Sequence, residues 1–343
     1  MTLRRESVEL GDRSYDVVIG DGAIGELGGL IPKTAVRAVV VTQQHLPVSV
    51  QSILEKHGLK VATVEIGDGE EHKSLASIEK IMRVCATHSM TRGDVIVGVG
   101  GGMVTDVAGY AAASWHRGIA VVHVSTTLVG MVDAAIGGKT GVNIPEGKNL
   151  VGAFWQPSGV VCDTSTLTTL PERERRCGYG EMAKYHFLTG DDLLAMDLPS
   201  RIARCVRIKA DIVSQDEREG GLRAVLNYGH TLGHALEIAT HFSLAHGEAV
   251  AVGLKFAALV AHSMGRIDAS RVAYHDDVIV KEYGLSVAMP TGLAASELVD
   301  LMKRDKKSSG GLTFMLDGPR GIEMVRDVPE EIVLDCLKRM ELR

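Results

Sequence analysis

DVIVGVGGGMVTDVAGYAAASW, residues 94–115, passes from a β-branched apolar run through three consecutive glycines into an alanine-rich stretch. The first part reads as a strand buried on both faces, the last as a helix, and the glycines as the turn between them. Glycine lets the backbone come close to a ligand, and a helix that starts there offers free N–H groups and a positive dipole end to a phosphate. The run is like a dinucleotide cradle, although its spacing is not G-x-G-x-x-G; a tight strand–helix turn with no ligand is the plain alternative.

Working outward, AVRAVVVT (35–42), IAVVHVST (119–126) and GVVCDTS (159–165) read as further buried strands, and VSVQSILEKHG and SLASIEKIMRVCATHS carry helical periodicity. Strand and helix in alternation predict a parallel sheet covered by helices. From about Leu170 the character changes. PERERRCGYGEMAKYHFL, Leu198 to Gln215, GEAVAVGLKFAALVAHSMG and PEEIVLDCLKRMEL all read as helices, and Pro171 suits a first helical turn. The expectation is an α/β, Rossmann-like nucleotide-binding domain over residues 1–170 followed by a mostly α-helical domain over 171–343. Ligands in such folds sit at the carboxyl ends of the strands or between domains.

The chain has 343 residues, 45% of them hydrophobic and 23% charged, with a net charge of −6. That balance argues against nucleic acid or an anionic membrane as main partner, both of which favour a basic footprint. No apolar run approaches the roughly 20 residues that span a bilayer, and the two arginines at the start are followed by no apolar core of a secretory signal. Five scattered cysteines without a CxxC pair suit reduced thiols of the cytoplasm.

The chemistry concentrates in three places. NYGHTLGHALEIATHFSLAHGE, Asn227–Glu248, holds four of the thirteen histidines. His230 and His234 are four apart on one helix face, and His246 follows beside Gly247; three imidazoles so placed could hold a borderline-soft divalent metal such as Zn²⁺. Ordinary helix and loop histidines are the alternative. VDAAIGGKTGVNIPEGKN, 132–149, presents Asp133, Lys139, Asn143, Lys148 and Asn149 among glycines. As flexible backbone with spaced ammonium groups it suits an oxyanion-rich ligand; the alternative is a solvated loop. Asp68-Gly69-Glu70 could hold ribose hydroxyls or be a plain turn. Glu181 and Lys184, three apart, read as a surface ion pair by default, with Glu181 also a candidate oxygen ligand. Lys209, Arg223 and Lys306–Lys307 are further cations, each ordinary when taken alone.

Together these segments resemble the dehydroquinate synthase family. The likeness runs over roughly residues 60 to 320 and is carried by DGEEHK (68–73), GGGMVTD (100–106), STTLVGMVDAAIGGKTGVNIPEGKNLVGAF (125–154), GEMAKY (180–185), DEREGGLRAVLNYGHTLGHALE (216–237), HGEAVAVG (246–253) and RDKK (304–307). The resemblance implies a cytoplasmic, homodimeric lyase that uses NAD and Zn²⁺, or Co²⁺ in its place. It would convert 3-deoxy-D-arabino-heptulosonate 7-phosphate to 3-dehydroquinate and phosphate by transient oxidation, phosphate elimination, reduction, ring opening and aldol closure.

Carried over position by position, the resemblance makes Glu181, His230 and His246 the metal ligands and moves His234 to the substrate. Lys139, Asn149, Lys184, Lys209, Arg223, Asn227 and Lys306 match substrate-holding positions. Asp133 matches one near the reacting hydroxyl, and Arg117 one that reaches the phosphate from the neighbouring subunit. For NAD the matches are Asp68, Gly69, Glu70, Lys73, Gly102, Thr105, Asp106, Thr126, Thr127, Lys139, Lys148, Thr166 and Thr169. Thr105, Tyr228 and His186 depart from common family residues without removing a functional group. Relatives that cyclise other sugar phosphates are alternatives. Asn227, His234 and RDKK argue against the valiolone-forming branch and GGKTGVN against the inosose-forming one, while aminodehydroquinate synthases differ in substrate by one amino group. A metal- and NAD-dependent polyol dehydrogenase and an NAD-binding regulatory protein are the readings outside the family.

Overall fold

The computed structural model describes residues 3–44, 46–190, 193–305 and 311–341. Lys306 and Lys307, named above, lie outside these. Two compact units are present. The first takes in Met1–Pro171 and Met196–Arg218, the second Glu172–Ala195 and Glu219–Arg343.

In the first unit nine strands form: β1 (Arg4–Val8), β2 (Tyr15–Gly20), β3 (Arg37–Thr42), β4 (Lys60–Glu65), β5 (Val95–Gly100), β6 (Ala120–Ser125), β7 (Lys139–Ile144), β8 (Gly147–Phe154) and β9 (Gly159–Asp163). Seven of them make one sheet in the order β1-β2-β9-β6-β5-β3-β4. β1 and β2 pair antiparallel and every other neighbour is parallel. The first two strands, not anticipated from the sequence, close one edge of the predicted parallel sheet.

The alternation of side chains explains why the strands read as continuous apolar runs. Ile96 and Val121 enter one core with the helices Leu75–Thr87 and Gly102–Ser114. Their neighbours Val95, Val97 and Val122 enter the other with Leu27 and Leu54. Both faces are covered, so no position along β5 tolerates a polar residue, and each fully buried valine contributes about 1.5–3 kcal/mol. From β3 the chain goes outward to β4, then crosses back to β5 on the other side of β3. The carboxyl ends of β3 and β5 therefore flank the point where strand order reverses, the usual ligand crevice of open parallel sheets. The three glycines lie there, at the end of β5.

The segment 132–149 is not the flexible glycine loop its composition suggested. A π-turn, Gly130–Ala134, leads into an antiparallel hairpin of β7 and β8. Thr140, Val142 and Val151 supply enough strand character, and contact with the helix Gly102–Ser114 holds the hairpin. The helix Leu198–Gln215, capped by Asp197, whose carboxylate accepts from the Ser200 amide at 2.9 Å, packs on β1, β2 and the π-turn.

The second unit is organised around the helix His246–Ser263, whose residues from Ala249 to Ala258 are all buried. A helix apolar on nearly every side is buried in a larger unit or in lipid; here the helices Glu172–Thr189, His230–Ala239, Ala269–Asp276 and Glu330–Glu341 pack against it, and its one buried charge, Lys255, pairs with Asp276. A second hairpin, β10 (Leu312–Leu316) with β11 (Glu323–Val328), adds to the mostly helical composition. No helix of the described residues is long and apolar enough to cross a membrane, and all five cysteines are buried and unbridged.

Candidate metal centre and nucleotide cradle

Glu181, His230 and His246 converge in the second unit, their ligand atoms all within 4.8 Å of one another. Glycines make this possible. The helices Glu172–Thr189 and His246–Ser263 cross at Gly180 and Gly247, the residues next to Glu181 and His246. A Cβ on Gly180 would lie 2.3 Å from the Gly247 carbonyl oxygen, and one on Gly247 would lie 2.1 Å from that of Cys177. Only bare backbones approach so closely, and the crossing brings Glu181 Oε1 to 3.0 Å from His246 Nε2. His230 Nε2 is 3.3 Å from the same oxygen.

The other ring nitrogens are held by the protein. His230 Nδ1 donates to the Tyr228 carbonyl at 3.0 Å, and His246 Nδ1 faces the Glu237 carboxylate at 3.3 Å. Such partners fix tautomer and ring orientation and leave both Nε2 atoms aimed at one point. Glu237 was not singled out from the sequence; its place three residues after His234, on the helix bearing both histidines, was the only signal. The His234 ring lies 5.4 Å from His230 and 6.3 Å from His246 between centroids, beside the three-donor group and outside it.

Glu181 and Lys184 are fully buried, unlike the surface pair their spacing suggested. Burial would raise the Glu181 carboxyl, but the Lys184 ammonium and the two imidazoles outweigh it and hold it well below the usual carboxylate range. Burial likewise lowers His230. For His246 the Glu181 and Glu237 carboxylates overcome burial and push the imidazole up to about 10. The two carboxylates draw positive charge to this point, the His246 proton or a cation in its place. One carboxylate oxygen and two neutral imidazole nitrogens form a donor set that suits Zn²⁺ or Co²⁺ and leaves positions open for further ligands. In the same unit, Arg223 is buried and the Asn227 amide donates to Glu219 Oε1 at 3.0 Å.

The first unit gathers a second set. Gly102 opens the helix that follows β5, and a Cβ there would meet the Ala134 methyl at 2.9 Å, so the glycine turn is pressed against the π-turn. Thr105 Oγ1 donates to the Gly102 carbonyl at 2.9 Å and the Thr126 amide to that of Gly100, also at 2.9 Å. Thr127 Oγ1 accepts from the Gly130 amide at 3.2 Å. Buried Lys73 donates to both Asp106 and Asn149. Burial pushes the Asp106 carboxyl up against the opposing pull of Lys73.

Asn143, whose role the sequence left open, ties the set together. Its amide donates to Glu70 at 2.8 Å, its carbonyl oxygen accepts from the Asn149 backbone at 2.9 Å, and Lys148 lies 3.6 Å from Glu70. Asn149 itself is held in the left-handed region, φ 55°. Asp68 is apart from this network and lines a cavity of about 530 Å³ with Gln44, His72, Ser74, Ser77 and Lys80. Thr166 and Thr169 belong to the turn after β9, where Thr166 Oγ1 donates to the Asp163 carbonyl at 2.7 Å.

Lys209 lies on the buried stripe of the helix Leu198–Gln215 and donates to the Asp133 carbonyl at 2.7 Å and its carboxylate at 2.8 Å. A buried ammonium needs such partners, and the π-turn supplies both. Lys139 is exposed at the start of β7, and Arg117 follows His116 in a left-handed turn, φ 69° and 49°.

Residues 63–177 match the family model of the 3-dehydroquinate synthase N-terminal domain, and residues 178–308 that of the C-terminal domain. The chain belongs to the 3-dehydroquinate synthase family. Within the family it is 40% identical to a 3-dehydroquinate synthase of a Picosynechococcus species, over 96% of this chain and 97% of that one. It is 49% identical, over 97% and 93%, to a protein of Amycolatopsis mediterranei that carries the name aminodehydroquinate synthase provisionally. Among solved structures, 2-deoxy-scyllo-inosose synthase complexed with carbaglucose-6-phosphate, NAD⁺ and Co²⁺ superimposes with a TM-score of 0.87 at 25% identity, covering 97% of this chain and all of that one. The chain is thus an enzyme of the sugar phosphate cyclase type, with the fold of that superfamily.

Proposed function

We propose that this family member is a 3-dehydroquinate synthase, closing 3-deoxy-D-arabino-heptulosonate 7-phosphate to 3-dehydroquinate with release of phosphate. The observation that carries the reading is the three-donor group Glu181, His230 and His246, its first two members buried, in a chain of this family. NAD would supply a reversible hydride acceptor, and a divalent cation on the three donors a Lewis acid for an alcohol oxygen.

The chain's own residues bind, orient and move protons. Glu181, His230 and His246 hold the cation, and Lys184 balances the Glu181 charge from its other side. The Lys209 ammonium orients the Asp133 carboxylate, which is the group assigned to the reacting hydroxyl. His234 takes and returns a proton at a substrate hydroxyl without ligating metal. Lys139, Asn149, Arg223, Asn227 and Lys306 hold the carboxylate, phosphate and remaining hydroxyls, and Arg117 reaches the phosphate from the neighbouring subunit of a cytoplasmic homodimer. The nucleotide cradle comprises the glycine turn at Gly102, Thr105 and Asp106, the Asp68–Lys73 segment, Thr126, Thr127, Lys139, Lys148, Thr166 and Thr169. Once a substrate hydroxyl is a ketone, the adjacent C–H is acidic and the departing phosphate's own oxygen can accept its proton. The protein then contributes mainly positioning and electrostatics.

A second reading is favoured by one observation, the higher identity to the Amycolatopsis protein, 49% against 40%. In it the substrate is the amino analogue of the same heptulosonate phosphate, and the product is aminodehydroquinate. Offering both substrates and sedoheptulose 7-phosphate to the purified chain with NAD and Zn²⁺, and following phosphate release, tests both. The expected result is release from a heptulosonate phosphate with no net build-up of NADH. Turnover of sedoheptulose 7-phosphate alone, or stoichiometric NADH accumulation, would overturn the reading.

A further inference from the structure

His275 is completely buried in the second unit and held on three sides. Its Nδ1 lies 2.8 Å from the Arg271 carbonyl, which only accepts, so Nδ1 carries the proton. Burial pushes this imidazole down to about 4, leaving one ring N–H at neutral pH. Nε2 is then an acceptor, and the Tyr228 hydroxyl, 2.8 Å away, donates to it. The flat face of the ring is taken by Phe187, with centroids 4.0 Å apart and planes 12° from parallel. Arg271 is itself fixed by Asp317, Nε to Oδ2 at 2.7 Å, and Asp317 also accepts from the Gly318 amide at 2.8 Å.

Tyr228 and Phe187 come from the two segments that carry Glu181 and His230. The Tyr228 carbonyl accepts the His230 Nδ1 proton, and Phe187 lies on the same helix as Glu181, six residues further on. One imidazole therefore grips the tyrosine that orients one donor and the ring anchored to the helix of another. None of these groups is among the residues assigned to substrate, cofactor or metal.

We propose that His275 is a positioning residue for the metal centre, acting through the Tyr228 hydroxyl and the Phe187 ring to hold His230 and Glu181 in register for a divalent cation. The inference rests on the reading of Glu181, His230 and His246 as that centre. Removing one oxygen, with Tyr228→Phe, leaves the packing in place and Nε2 without its donor. Loss of a group bonded directly to a ligand weakens metal affinity by about 10- to 100-fold; the Tyr228 hydroxyl acts one contact further out, so the expected loss is up to about 10-fold.

The test uses the full chain, with Co²⁺ and Zn²⁺ as probes. Affinity is measured by chelator competition, ligand geometry by the visible absorption of bound Co²⁺, and folding by the melting temperature of metal-free protein. Tyr228→Phe is expected to lose affinity in that range and shift the Co²⁺ bands, while metal-free protein still melts cooperatively. His275→Gln, which offers an amide oxygen to Tyr228 but no ring to Phe187, is expected to lose affinity and shift the Co²⁺ bands as well, and decides the matter should Tyr228→Phe not fold. Wild-type affinity and an unchanged Co²⁺ spectrum in the folded variants would overturn the inference and leave the metal centre standing. Wild-type protein that binds neither ion would instead overturn the reading of the centre itself.

Discussion

His230 and His234 look equivalent in sequence, four residues apart on one helix face, yet their surroundings differ. His230 Nδ1 is tied to the Tyr228 carbonyl and its Nε2 faces Glu181, whereas His246 and not His234 completes the three-donor group. His230→Ala or His246→Ala should therefore abolish stoichiometric metal binding, while His234→Ala should retain the metal and lose turnover by about 100-fold or more, the usual contribution of a positioned proton-transfer group. Metal content by elemental analysis checks this, and equal loss in all three variants would contradict it. The histidines were legible because imidazole clusters are rare. Glu181 was legible only as one of two readings, an oxygen ligand or a surface ion pair, because a glutamate three residues from a lysine has the same spacing on any exposed helix. Only its burial separates the two cases. Lys209 was equally opaque: a lysine on an amphipathic stripe becomes informative once Asp133 is seen to meet it.

Among the elements, strands buried on both faces were the easiest to read, since β3, β5, β6 and β9 are largely apolar runs, interrupted within β6 only by His123. The hairpin of β7 and β8 has the composition of a loop. Its glycines, Gly141 and Gly152, are where the two backbones come together, a Cβ on Gly152 meeting the Thr140 carbonyl oxygen at 2.1 Å. Composition reports glycine as flexibility, while pairing uses it for close approach. Gly180 and Gly247 carry the same lesson between helices. Gly247→Ala should force the crossing apart, destabilising the chain by about 3 kcal/mol or more and weakening metal binding along with it. Thermal unfolding and metal titration on the same sample check this; a variant with wild-type metal affinity would show that the crossing does not set the Glu181–His246 distance.

For the whole molecule, the proposed homodimer with Arg117 acting across subunits makes a distinctive prediction. Arg117→Ala and His230→Ala proteins, each inactive alone, should regain up to about a quarter of wild-type activity per subunit when mixed under conditions of subunit exchange, since a randomly formed heterodimer restores one intact site. Activity of the mixture, with exchange verified by mass, checks it, and no recovery would argue that Arg117 serves its own subunit's site.

The parallel sheet, the helices after Leu170, the glycine turn at the end of β5 and the likeness to one enzyme family can all be read along the chain. Each of these is written in local periodicity or in motifs of contiguous residues. The tertiary structure decided what local pattern leaves open. It assigned the helix Leu198–Gln215 to the first unit, because an amphipathic face announces that it will be buried but not against what. It also made Asn143 and Glu237 the partners of expected site residues, and set His275 against residues that adjoin them. Hydrogen bonds between side chains far apart in sequence depend on where the backbone carries each atom, and no spacing along the chain encodes that.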